Sequence, residues 1–125
     1  MRANVILILL SLALLVTCSV CVGFMHGTAE ELVGIATQAA DALPANPEAA
    51  EALLERLEAL WTSTEPRWQF IAIHNDLAEV TNALKDAQDA LLMEDIPAAK
   101  TACDHILTAI DTIMRKELPT PGNIF

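Results

Sequence analysis

Residues 5–25 read VILILLSLALLVTCSVCVGFM. These twenty-one positions, from Val5 to Met25, carry no charged side chain. At about 1.5 Å of rise per residue, a helix of this length reaches roughly 31 Å. A bilayer's hydrocarbon core is about 30 Å thick. The stretch therefore predicts a membrane-spanning helix, and its apolar run is longer than the core of an ordinary cleaved signal. Two other readings compete for residues 1–27. Gly27-Thr28-Ala29 is a small-x-small cleavage site placed late, which would make the segment a secretory signal. Leu15-Val16-Thr17-Cys18 is an imperfect lipobox, with Thr17 where a smaller residue is usual, which would make Cys18 a lipidation site.

The flanks set a direction. Arg2 precedes the run, and the next cation is Arg56, too distant to count. The cation-bearing end stays in the cytoplasm. The remainder is then expected outside, whether the first segment is retained, cleaved or lipidated. Cys18 and Cys21 lie within the apolar run and only Cys103 lies beyond it, so no disulfide can form inside the domain.

With Arg2 the one charged residue ahead of Glu30, the other six cationic side chains face 17 acidic ones, a net charge of −11. That field repels phosphate backbones, so no nucleic acid is expected as a partner. It suits a solvated surface or a basic partner surface. Just under 100 residues remain after position 27, enough for one small core. They are rich in Ala, Leu, Glu and Asp and contain no Tyr, which favours helix over sheet.

Apolar spacing divides this part into helices. Thr28 and Glu31 form a capping-box pattern that starts a helix over 28–43, with Leu32, Ile35, Ala36, Ala39 and Leu43 on its apolar face. That helix can also run on almost directly from the apolar stretch, bending at Gly23, Gly27 or Gly34. Pro44-Ala45-Asn46-Pro47 is a turn whose Asn46 caps the next helix, over 47–63. There Leu53, Leu57, Leu60 and Trp61 share one face, and Glu48, Glu51, Glu55 and Glu58 the other. The acidic row reads as a solvated face, since a metal wants converging oxygens.

At Pro66 the register jumps, to a stripe of Phe70, Ile73, Leu77, Val80, Leu84, Ala87 and Leu91. The proline marks a kink or a reversal near residues 63–67, and the short interval favours a kink in a near-continuous helix. The last helix spans 97–117, with Ala99, Cys103, Ile106, Ile110 and Ile113 inward. The expected fold is all-α: an N-terminal transmembrane helix, then a small antiparallel bundle of three to four helices over 28–118, then a proline-containing tail over 119–125.

No catalytic constellation appears. Cys103 sits mid-stripe as a packed thiol. His74-Asn75-Asp76 and Asp104-His105 lack the spacing that sets two ligands on one helix face. No catalytic residue, cofactor or metal is expected. Trp61 and Trp68 read as core residues on either side of Pro66, while a pocket there would also draw on Phe70 and His74.

A membrane segment, then Trp61, then Trp68-x-Phe70-Ile71-x-x-His74, a last helix ending at Glu117 and a terminus of Asn123-Ile124-Phe125 together make a pattern. It resembles the bacterial family called domain of unknown function 4363, over nearly the whole chain. The family stretch often reads Phe-Ile-Asp-His; here Ala72-Ile73 precedes His74 and Asn75-Asp76 follows it. The resemblance implies a small, membrane-associated helical protein from bacteria, and a packed or recognised role for Asn123, Ile124 and Phe125.

The reading that follows is a membrane-anchored, extracytoplasmic, non-enzymatic accessory protein of the cell envelope. Its partners would be the membrane, through residues 5–25, and another envelope protein or itself. The alternatives are a ligand-binding or sensor domain with its pocket near Pro66, and, more remotely, a metal-dependent enzyme using His74, Asp76 and His105.

Overall fold

A computed structural model describes residues 1–70 and 72–117, the last by its backbone alone. The expectations for Ile71 and for Asn123, Ile124 and Phe125 fall outside the described residues. Four helices and no strand make up the described chain: α1 (Arg2–Ala42), α2 (Pro47–Trp68), α3 (His74–Leu92) and α4 (Ile96–Glu117). They pack as a helical bundle, α1 against α2 and α4, and α3 against α4 and α2.

The first helix is one unbroken element of 41 residues, about 62 Å long. The helix expected to start at Thr28 does not start there. The Thr28 hydroxyl donates to the Phe24 carbonyl at 3.0 Å instead of capping a new N-terminus. The apolar run feeds straight into the amphipathic one without a proline, so the backbone ladder outcompetes the local cap. Only the second half of α1 belongs to the bundle. Met25, Ala29, Leu32, Ala36, Ala39 and Leu43 are buried at alternating spacings of four and three, the pattern of a helix packed along one seam.

Leu43 and the turn after it lead to Asn46, whose side chain accepts from the Ala49 N–H at 3.2 Å, with Pro47 opening α2. This is the cap read from the sequence. The buried face of α2 is Ala50, Leu54, Leu57, Trp61, Thr64 and Trp68. Leu57 and Trp61 are the expected ones, whereas Leu53 and Leu60 are only half-buried at its flanks and Leu54 takes the inward place. The face passes Pro66 undisturbed because the proline ring itself is exposed. Lacking an N–H, Pro66 leaves only the Thr62 carbonyl without its helical donor.

The chain therefore does not kink into a long helix at Pro66. It reverses between Trp68 and His74, with the Ala72 N–H bonded to the Trp68 carbonyl at 2.7 Å. Side-chain bonds pair Glu58 with Gln88 and Glu65 with Thr81, so α2 and α3 run in opposite directions. Phe70 and Ile73, expected on the α3 stripe, lie outside the helix and are 91% and 53% exposed. The stripe begins at Leu77 and continues through Val80, Leu84 and Ala87.

The end of α3 is a Schellman turn. The Asp95 N–H reaches the Ala90 carbonyl at 2.9 Å and the Glu94 N–H the Leu91 carbonyl at 3.0 Å. Glu94 adopts φ 58 to close it, a conformation that costs a residue with a Cβ roughly 1–2 kcal/mol. We expect Glu94→Gly to raise stability by about 1 kcal/mol, less the extra freedom glycine gives the unfolded chain; chemical denaturation measures it, and a loss of stability would contradict this account of the turn. Asp95 then caps α4 through its side chain, accepting from the Ala98 N–H at 3.2 Å.

Candidate functional site

The structure offers three chemically distinct regions, and the geometry of α1 orders them. Along residues 2–24 every position is exposed except half-buried Val22. Val5, Ile6, Leu7, Ile8, Leu9, Leu10, Leu12, Leu14, Leu15, Val16, Val20 and Phe24 all present large apolar side chains to the surroundings. This is one helix long and apolar enough to cross a membrane, with none of its apolar window buried in protein. A soluble fold rarely leaves so large an apolar surface bare. The Thr17 hydroxyl is satisfied within the helix, by the Ala13 carbonyl at 2.8 Å, which lowers the cost of a polar group among apolar neighbours. Cys18 and Cys21 are both exposed on this segment.

The second region is the junction of the apolar segment with the bundle. The Arg67 guanidinium stands 5.6 Å from the centroid of the Phe24 ring. An open hollow beside it is lined by Val20, Cys21, Phe24, Met25, Arg67 and Trp68. Of the residues singled out for a pocket near Pro66, Trp61 and Trp68 are brought together and the other two are not. The two indoles, each 2% exposed, meet edge to face at 5.5 Å and 84°. Phe70 and His74 lie on the surface beyond them. The rings thus fill the space between α2 and its neighbours with each other.

A short polar chain fixes them. The Trp61 indole N–H donates to the Thr81 hydroxyl at 2.9 Å, and that hydroxyl donates to Glu65 Oε2 at 3.1 Å. Sequence periodicity gave no sign of Thr81, because its partner lies on another helix. Thr81→Val strands the indole N–H in a part-buried place. It is expected to cost about 1–2 kcal/mol in chemical denaturation. Thr81→Ser should restore most of that, and an equal loss in both variants would show that the bond carries nothing.

The third region is acidic and lies at the other end of the bundle. Glu51, Glu55 and Glu58 of α2 face Asp89 and Glu94 across an open groove, with Leu54, Leu91 and Leu92 along it. Leu92 and Met93 at its end are 82% and 81% exposed. The Gln88 amide donates to Glu58 Oε2 at 2.7 Å across the two helices. The α2 carboxylates were legible in the sequence as a row. Their opposition to Asp89 and Glu94 was not, since it depends on the reversal between Trp68 and His74.

Other reactive groups are placed by packing. Among the described residues no three His, Cys, Asp or Glu side chains converge as metal ligands. His74 opens α3, whereas His105 lines a hollow with Glu79, Asn82 and Asp86 farther along that helix. Asp76 is held by Lys116 at 3.5 Å. Cys103 is fully buried, and burial, aided by the negative charge of Asp104, pushes its thiol from 9.0 up to about 11.

The thiol's native form is thus protonated over a window where the unfolded thiol ionises. Between about pH 9 and pH 11 the unfolded state binds fewer protons, so raising the pH favours unfolding; below 9 the stabilisation is present in full. The wild-type protein should lose more stability over this window than Cys103→Ala, as read by denaturation midpoints at both pH values. Parallel losses would remove the thiol from the account.

No protein-family model, curated protein or solved structure matches the chain.

Proposed function

We propose that this chain is a non-enzymatic interaction protein, held in a membrane by α1 and presenting its bundle outside the cytoplasm. The observation that carries the proposal is the bare apolar first half of α1, continuous with a second half that forms part of the core. Retention of the span, rather than cleavage, is supported by Met25 and Ala29. Both are core residues, and cleavage after Ala29 would strip them from the bundle. Arg2 before the span and the distant Arg56 support the orientation.

The groove at the far end, with five carboxylates and exposed Leu92 and Met93, fits a basic, partly apolar segment of another envelope protein. Two copies of this bundle, each carrying −11, repel one another, which disfavours self-association through it. The resemblance to the domain of unknown function 4363 family supports a bacterial envelope.

Co-purification of the full chain from detergent-solubilised membranes tests the proposal. A stoichiometric partner should be retained at low salt and released as salt screens the contact. It should also be lost when Glu51, Glu55 and Glu94 are all changed to Gln. A monomer that retains nothing stoichiometric would count against it. A reporter fused after Phe125 that works only outside the cytoplasm should be active; one that works only in the cytoplasm would reverse the orientation.

A further inference from the structure

We infer that the near end of the bundle is itself a phospholipid-binding surface, with Phe70 and Ile73 seated among the headgroups and Arg67 at the level of their phosphates. The inference rests on the anchor reading above and goes beyond it.

The depth follows from α1. About 20 helical residues cross the hydrocarbon core. Counted from Ala3, the first position after the Arg2 cation, they end near Val22. Phe24 therefore stands at the outer interface. Arg67 lies 5.6 Å from its ring, and Trp68 shares a hollow with Val20, Cys21, Phe24 and Met25. The last turn of α2 is thus level with the last turns of the span.

Helix α2 descends toward the bilayer as α1 rises from it, since Pro47 follows the far end of α1 and Trp68 adjoins the near one. Phe70, two residues beyond Trp68, lies at the bilayer side of the bundle, and Ile73 precedes the start of α3 there. They are 91% and 53% exposed, and none of the described residues covers them. A headgroup layer explains that exposure, because aromatic and aliphatic side chains favour that zone while a nearby guanidinium extends to phosphate.

The cations of this end stand beside carboxylates, Arg115 beside Asp111 at 3.0 Å. Arg115 and Lys116 close α4 here, Lys116 reaching Asp76 in the first turn of α3. His26 and Glu30 pair at 3.2 Å on α1. The carboxylates of the groove, Glu51, Glu55 and Glu94 among them, are at the opposite end. A bundle of net charge −11 beyond Arg2 thus turns a cation-containing end to the lipid.

The test uses the full chain reconstituted in vesicles of phosphatidylcholine and phosphatidylglycerol, comparing Phe70→Trp with Leu92→Trp. Trp61 and Trp68 are common to both, so differences report the introduced indole. Lipid brominated high on its acyl chains should quench most of the indole emission introduced by Phe70→Trp. Aqueous acrylamide should quench that introduced by Leu92→Trp. If carbonate washing leaves the chain in the vesicles but acrylamide, and not bromolipid, quenches the Phe70→Trp indole, the headgroup surface is overturned and the anchor stands. Release of the chain by carbonate overturns the anchor and the headgroup surface together.

Discussion

Leu10→Asp combined with Leu14→Asp is expected to release the chain from membranes. On insertion scales an aspartate at the centre of a span costs roughly 3 kcal/mol and a leucine contributes about −0.5. Two replacements therefore shift insertion by about 7 kcal/mol. The two side chains are 62% and 66% exposed, and neither belongs to the buried core. The same double variant should accordingly leave thermal unfolding of the bundle unchanged. Flotation with carbonate extraction measures the first outcome and circular dichroism the second. A doubly charged chain that remains fully integrated would sink the anchor reading. A bundle that melts earlier would show that residues 2–24 contribute to its stability.

The second large effect concerns the core. Trp61→Ala removes an indole that is 2% exposed, that meets Trp68 at 5.5 Å and that donates to Thr81 at 2.9 Å. Loss of a buried tryptophan costs about 3–5 kcal/mol through lost transfer energy and the cavity left behind. Aromatic pairing contributes a further 0.5–1.5 kcal/mol, roughly. The expected total is about 4–6 kcal/mol, comparable to the whole stability of many small domains. Trp61→Phe keeps an aromatic ring but abandons the Thr81 hydroxyl, so its loss should be about 1–2 kcal/mol. Urea denaturation followed by Trp68 emission separates the two. A Trp61→Ala loss no larger than that of Trp61→Phe would falsify the assignment of Trp61 as a core support.

Much of the fold was legible because helices advertise themselves by periodicity. Leu32, Ala36, Ala39 and Leu43, or Cys103, Ile106, Ile110 and Ile113, recur at the spacing of one buried face, and all are buried. Asn46 and Pro47 announced their cap by residue type alone. The errors came where two local rules compete. Thr28 and Glu31 match a capping pattern, yet Thr28 sits equally well inside a helix when its hydroxyl bonds back to Phe24. Pro66 reads as a break, yet proline is tolerated near a helix end on an exposed face, two residues before α2 stops. That misplacement carried Phe70 and Ile73 onto a stripe they do not join.

The candidate surfaces were less legible for a different reason. The stacking of Arg67 on Phe24, the bond from Trp61 to Thr81 and the groove between Glu51 and Glu94 each join two helices. Their sequence separations are set by where the chain reverses, not by any repeat within one helix. Only the apolar first half of α1, which needs no partner segment, could be read as one helix from the sequence.

The continuity of α1 also makes it a ruler. From Met25 to Ala42 the helix rises about 27 Å with no break between the apolar and the packed halves. On the proposed orientation the acidic groove is therefore carried at a nearly fixed height above the bilayer and at a fixed azimuth about the helix axis. A basic partner of the kind proposed would have to meet it at that altitude and from that side. Each residue added to α1 would lift the groove by about 1.5 Å and swing it by about 100°, so the length of α1 determines which neighbours the groove can meet.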